Sequence, residues 1–134
     1  MARPPIIIDG VSQVEGAIRD PSNPHHFMVA KPVDGRVRIY WGACLLADTT
    51  KAFWLIEIGR KAHNPVLYVP PEDLATAFGK TDKTTHCPLK GYASYYTVDG
   101  EEVGWAYLDP FAFAAVLTGR HAFWAGKVRI EQGA

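Results

Sequence analysis

At 134 residues with 48% hydrophobic content, the chain can bury a real core but is too short for two ordinary domains. Lysine and arginine together number 14, as do aspartate and glutamate, so no net field draws the chain to a phosphate backbone or an anionic membrane surface. Neither nucleic acid nor membrane is therefore an expected partner. The longest apolar runs, such as residues 111–117, fall far short of a membrane span, and no basic region followed by an apolar signal core opens the chain. The expected compartment is the cytoplasm, where Cys44 and Cys87, which form no C-x-x-C pair, read as reduced thiols.

Residues 1–23 read as a partly ordered arm in which Ile6-Ile7-Ile8 is the ordered piece, suited to a short edge strand. Asp20-Pro21-Ser22-Asn23-Pro24 reads as a turn or linker. Residues 24–134 read as one β-rich domain. Arg36 to Trp41 alternates polar and apolar residues, and Gly42 breaks the run before a second strand over Ala43 to Asp48. Ala52 to Ile58 and Pro65 to Pro70 continue the meander.

Pro71 to Gly79 carries proline at the first position, acids in the first turn and glycine at the end, which predicts a short helix. Tyr92 to Val98 and Glu101 to Tyr107 are strands joined by Asp99-Gly100, a two-residue hairpin signal. Asp109 caps a second short helix that runs to Gly119. Phe123-Trp124 and Lys127 to Glu131 close the chain as a short apolar segment and a last strand. The fold class is mainly β with α+β character: antiparallel sheets and two short helices in a single domain.

The chemistry concentrates in Thr84-Thr85-His86-Cys87-Pro88-Leu89-Lys90-Gly91, where a thiol, an imidazole and an ammonium group share one turn. Cys87 suits a nucleophile if His86, Lys90 or a turn amide lowers its pKa, because the thiolate is what attacks. The structural alternative is a small buried apolar residue, the reading that fits Cys44. His86 and Cys87 point to opposite faces of an extended chain, so any base comes from elsewhere; His63 and His121 qualify only if folding brings them near, and His25 and His26 qualify less.

Lys90 anchors an anion or stabilises a thiolate or oxyanion, with a solvated turn lysine as the alternative. Glu72 at the first helix start is favoured there by the dipole. It acts as a general acid or base, or pairs with Lys90, only if it points at the Cys87 loop. Tyr68, Tyr95, Trp105 and Tyr107 sit near strand ends and suit a small ligand in an apolar cleft, with core packing as the simpler account.

These pieces resemble the family of domain of unknown function 427, found in bacteria and fungi. The resemblance rests on Arg36-Val37-Arg38 with Ala47-Asp48-Thr49, on Pro65 to Pro70 with Glu72-Asp73, and on the Thr84 to Gly91 segment with Ala93 to Tyr96. Trp105-Ala106-Tyr107 with Asp109-Pro110, and Ala122-Phe123, complete it. It implies an Mss4-like, tent-shaped arrangement of antiparallel sheets and no known activity. The family also bears a nucleotidyltransferase label, yet the chain has no Gly-Ser followed by paired aspartates and no phosphate-binding glycine loop. Pro71 stands where an arginine often precedes the Glu-Asp pair, which removes an anion contact. The paired C-x-x-C zinc ligands of Mss4-like relatives are absent, so no metal and no cofactor is expected.

The expectation is a small cytoplasmic enzyme acting on a polar or anionic metabolite, with Cys87 as nucleophile or proton donor and Lys90 holding negative charge. The enzyme class is a thiol-dependent hydrolase, lyase or transferase, and the sequence leaves room for a homodimer. The alternatives are a noncatalytic ligand-binding or regulatory module using the same cleft, and a metal-binding protein using Cys87 with His86 or His121.

Overall fold

The computed structural model describes residues 14–133 and, before them, the backbone of β1 (Ile7–Ile8) and β2 (Val11–Ser12), which pair with each other. Within the arm, residues 1–6, 9, 10 and 13, Ile6 among them, lie outside the described residues. There follow β3 (Ile18–Asp20), β4 (Asn23–Pro32), β5 (Arg36–Trp41), β6 (Cys44–Thr49), β7 (Phe53–Ile58) and β8 (Val66–Val69). The second half holds β9 (Gly79–Cys87), β10 (Gly91–Val98), β11 (Glu101–Ala106), β12 (His121–Phe123) and β13 (Arg129–Gly133).

All pairings between these strands are antiparallel. One sheet has the order β3-β4-β7-β8-β12-β11-β10-β9, and a smaller one has the order β13-β5-β6. The mainly β antiparallel class is therefore the class observed. Asp99 at φ 50° and Gly100 at φ 78° form the β10–β11 turn, the paired left-handed conformation whose twist matches that of the flanking strands.

Alternation along the strands divides the interior into two cores. Val37, Ile39, Leu46 and Ala47 of the small sheet pack against Leu67, Val69, Val103 and Phe123 of the large one. On the other side, Phe53, Leu55, Tyr68, Tyr95 and Ala122 pack with Leu89, Tyr107, Ala114 and Leu117. β8 serves both, sending Leu67 and Val69 one way and Tyr68 the other, as the pleat dictates.

Two expected helices are corrected: the described residues contain 3-10 turns in their place. Pro71–Asp73 makes one turn, after which Leu74 is extended, bridges Ala47, and is followed by the Ala75 N–H donating to the Leu46 carbonyl. Sheet contacts thus capture the chain before a second helical turn forms, and a two-turn helix has little stability of its own to resist them. Ala112–Leu117 is the second, broken at Ala114 (φ −107°, ψ 22°). Its buried anchors Ala114 and Leu117 lie three residues apart, the spacing that a 3-10 turn aligns on one side.

Several strands were not foreseen, among them β2 and β3 within the arm and the longer β4 and β9. β4 begins inside the segment read as a linker, although Asp20–Asn23 is indeed a turn, held by the Ser22 N–H and hydroxyl donating to Asp20 Oδ1 at 2.9 and 2.8 Å. β9 is largely exposed and polar, so it lacks the periodicity that marks a strand; its pairing with β10 supplies the order.

Candidate active site

The β9–β10 turn places the central residues. Cys87 pairs with Gly91 across the hairpin, the Lys90 N–H donates to the Cys87 carbonyl at 3.3 Å, and Gly91 at φ 112° adopts a conformation that disfavours a side chain. Leu89, fully buried, pins the turn to the core, and the Phe111 N–H donates to the Lys90 carbonyl at 3.1 Å. The turn is therefore held at both its side chains and its backbone.

Lys90 extends from this turn to β7, where its Nζ donates to Glu57 Oε1 at 2.5 Å. The other carboxylate oxygen of Glu57 accepts from His26 Nε2 of β4 at 2.7 Å. β4 and β7 are neighbours with Met28 opposite Glu57, and Gly59 lies against the His26 ring, leaving room for it. The three side chains are only 12–14% exposed. Lys90 also stands 5.8 Å from the centre of the Tyr107 ring.

Burial alone would raise the Glu57 carboxyl, but the Lys90 charge and the hydrogen bonds from Lys90 and His26 hold it below its ordinary value. Burial likewise pulls Lys90 down, and Tyr107 and Glu57 more than offset it, so its pKa is raised. Both groups are therefore charged near neutrality. The Lys90 ammonium is also close enough to Cys87 for the two to interact electrostatically. Burial raises the Tyr68 and Tyr107 phenols, which remain protonated.

Cys87, His86, Glu57, His26 and His63 line one cleft of about 690 Å³. Cys87 is half-buried with its side chain against the first core, whereas His86 is exposed, its ring 4.9 Å from Tyr92 and 6.0 Å from Phe111. Their opposed environments agree with neighbours alternating along β9.

The other expected residues are distributed differently. Glu72 is exposed on the first 3-10 turn and does not line the cleft; Glu57 holds the carboxylate position beside Lys90. Tyr68, Tyr95 and Tyr107 are buried beneath the site in the first core, with Trp105 Nε1 donating to the Tyr68 hydroxyl at 3.3 Å and Thr85 bonded to the Tyr95 hydroxyl at 2.6 Å. Trp105 borders a separate cavity that shares no lining residue with the Cys87 cleft. His121 is buried against Phe78 and Tyr96. Among the described residues no group of three or more His, Cys, Asp or Glu side chains is placed to hold a metal ion.

Sequence reasoning missed Glu57 and ranked His26 below His63 and His121 as a candidate base. A lone carboxylate within the apolar run Phe53–Ile58 was the available signal for Glu57, because an acid in a buried strand needs a partner. His26 offered none, since its role depends on β4 pairing with β7.

The family described as domain of unknown function (DUF427) matches residues 29–133. The chain belongs to that family. The DUF427 match includes Glu57, Cys87 and Lys90, while His26 precedes its first residue. No curated protein matches the chain.

Proposed function

We propose that this DUF427 protein is a small thiol-dependent enzyme acting on a polar or anionic metabolite in the Cys87 cleft. The observation that carries the reading is the Glu57–Lys90 ion pair, which holds a buried ammonium group within electrostatic reach of the Cys87 thiol. A positive charge favours the thiolate, and the same charge stabilises negative charge developing on a substrate attacked by it. His26 and His63 line the cleft and are the candidate proton carriers, with His86 at its exposed side. The role first considered for Glu72 passes to Glu57, which touches Lys90 directly.

The Mss4-like arrangement and a cytoplasmic setting belong to the same proposal. Antiparallel pairing throughout both sheets supports the former, and two half-buried thiols without a disulfide support the latter. Among the described residues no helix is long and apolar enough to cross a membrane.

A second reading is a noncatalytic module that binds the same class of ligand. It is favoured by one specific feature: Glu57 neutralises much of the Lys90 charge that would otherwise activate Cys87. The pH profile of Cys87 alkylation in a Cys44→Ser background separates the two. A thiol titrating below the usual value of about 8.5 supports the enzyme. An ordinary thiol, in a protein whose Cys87→Ala variant still binds small carboxylates or phosphates, supports the module.

A further inference from the structure

Away from the Cys87 cleft, a cavity of about 380 Å³ opens between the two sheets, with Trp54, Trp105 and Trp124 in its walls and Ile39, Leu67 and Phe123 at its buried side. Trp54 and Pro65 also border an adjoining hollow of about 470 Å³ whose other lining residues are Lys31 and Ile56. Three of the chain's four tryptophans thus line the first cavity, and Trp54 and Pro65 form a wall common to both hollows of this apolar groove.

The polar groups are few: the exposed Asn64 side chain, two indole N–H groups and, in the adjoining hollow, Lys31. The Trp105 and Trp124 indole N–H groups are occupied inside the protein, donating to the Tyr68 hydroxyl at 3.3 Å and to Glu102 Oε2 at 2.9 Å. Their rings, 4.5 Å apart and tilted by 48°, offer π faces and hydrocarbon edges to a ligand and no hydrogen bond. Among the described residues, Lys31 is the one charged residue lining either part of the groove. It is exposed, makes no ion pair among the described residues, and lies directly across the strand from Trp54, so the two side chains rise from neighbouring positions.

We infer that this groove is a second binding site, taking a small aromatic monocarboxylate whose ring system lies among Trp54, Trp105 and Trp124 and whose carboxylate reaches Lys31. Apolar walls that fix a ring, with a single cation to orient an acid group, are the usual composition of a small-ligand pocket. The volume suits a two-ring compound. Because the groove shares no lining residue with the Cys87 cleft, the inference stands independently of the enzymatic reading.

The experiment is calorimetric titration of the full chain with 2-naphthoate, with 2-naphthamide as the uncharged control. Saturable one-to-one binding is expected, weakened about tenfold for the amide and for Lys31→Glu, the loss associated with one charge-assisted contact. Trp124→Ala, at the exposed edge of the groove, should also weaken it, while Cys87→Ala should leave it unchanged. No saturable binding at millimolar naphthoate, equal affinity for acid and amide, or loss of binding in Cys87→Ala would each overturn the assignment. So would sedimentation showing a stable dimer that Trp124→Ala dissociates, since the groove would then be covered by a second copy of the chain.

Discussion

Lys90 Nζ reaches Glu57 Oε1 at 2.5 Å across 33 residues of sequence, joining the turn after β9 to the end of β7. This pair ties the thiol-bearing turn to the sheet core, and its two partners should not be removable singly. Glu57→Gln leaves a largely buried ammonium unpaired, and a loss of about 3 kcal/mol in urea unfolding is expected. Because the folded Glu57 carboxyl lies below its ordinary value of 4.5, its contribution is complete above that pH and is lost as pH falls through the folded value. The variant should therefore lose less stability than the parent on acidification from pH 5.

Cys87 should react with iodoacetamide faster than Cys44. Both thiols are half-buried, so exposure does not separate them; the Lys90 charge near Cys87 does, since Cys44 packs against the second core and its thiol donates to the Leu45 carbonyl at 3.9 Å. Lys90→Met should slow Cys87 labelling near neutral pH by up to about tenfold, because a nearby ammonium group favours the thiolate that reacts. Glu57→Gln should accelerate it by unmasking the ammonium. Equal rates at the two cysteines, or no change in either variant, would favour the ligand-binding reading.

His121 should make the protein acid-sensitive above the range in which its carboxylates titrate. Burial lowers its pKa from 6.5 to about 4, and its Nδ1 has no hydrogen-bond partner among the described residues. Between these values the unfolded chain binds a proton that the folded chain does not, so stability falls as pH drops from 6.5 to 4, by roughly 3 kcal/mol in all. His121→Phe, which keeps a ring against Phe78 and Tyr96, should flatten this part of the stability profile. An unchanged slope would show that another group is responsible.

Gly104 should be intolerant of even one methyl group. An added Cβ there would overlap the Ala122 carbonyl oxygen on β12, which is backbone and cannot rotate aside. Gly104→Ala is expected to cost about 3 kcal/mol, the upper part of the usual overpacking range. Gly126→Ala, with nothing within 4 Å of the added atom, is the control and should change the melting temperature little.

Local chemistry accounts for what the sequence alone determined. The alternation of Arg36 to Trp41 defines β5, whose inward residues Val37 and Ile39 are each 1% exposed, and Asp99-Gly100 defines the hairpin it occupies. The Cys87-Pro88-Leu89-Lys90-Gly91 turn was legible for the same reason, because proline, a following glycine and the flanking strand former constrain a few adjacent dihedrals. The tertiary structure decided whatever depended on distant pairing. The acids and proline at Pro71 satisfied every local rule for a helix, yet the Leu74–Ala47 bridge drew the chain into the fold after a single turn. The polar strand β9 acquired its order only from β10. Glu57 and His26 became partners of Lys90 because β4 pairs with β7 and the turn after β9 packs beside them, and a buried carboxylate is stable only where such neighbours supply a charge and two hydrogen bonds.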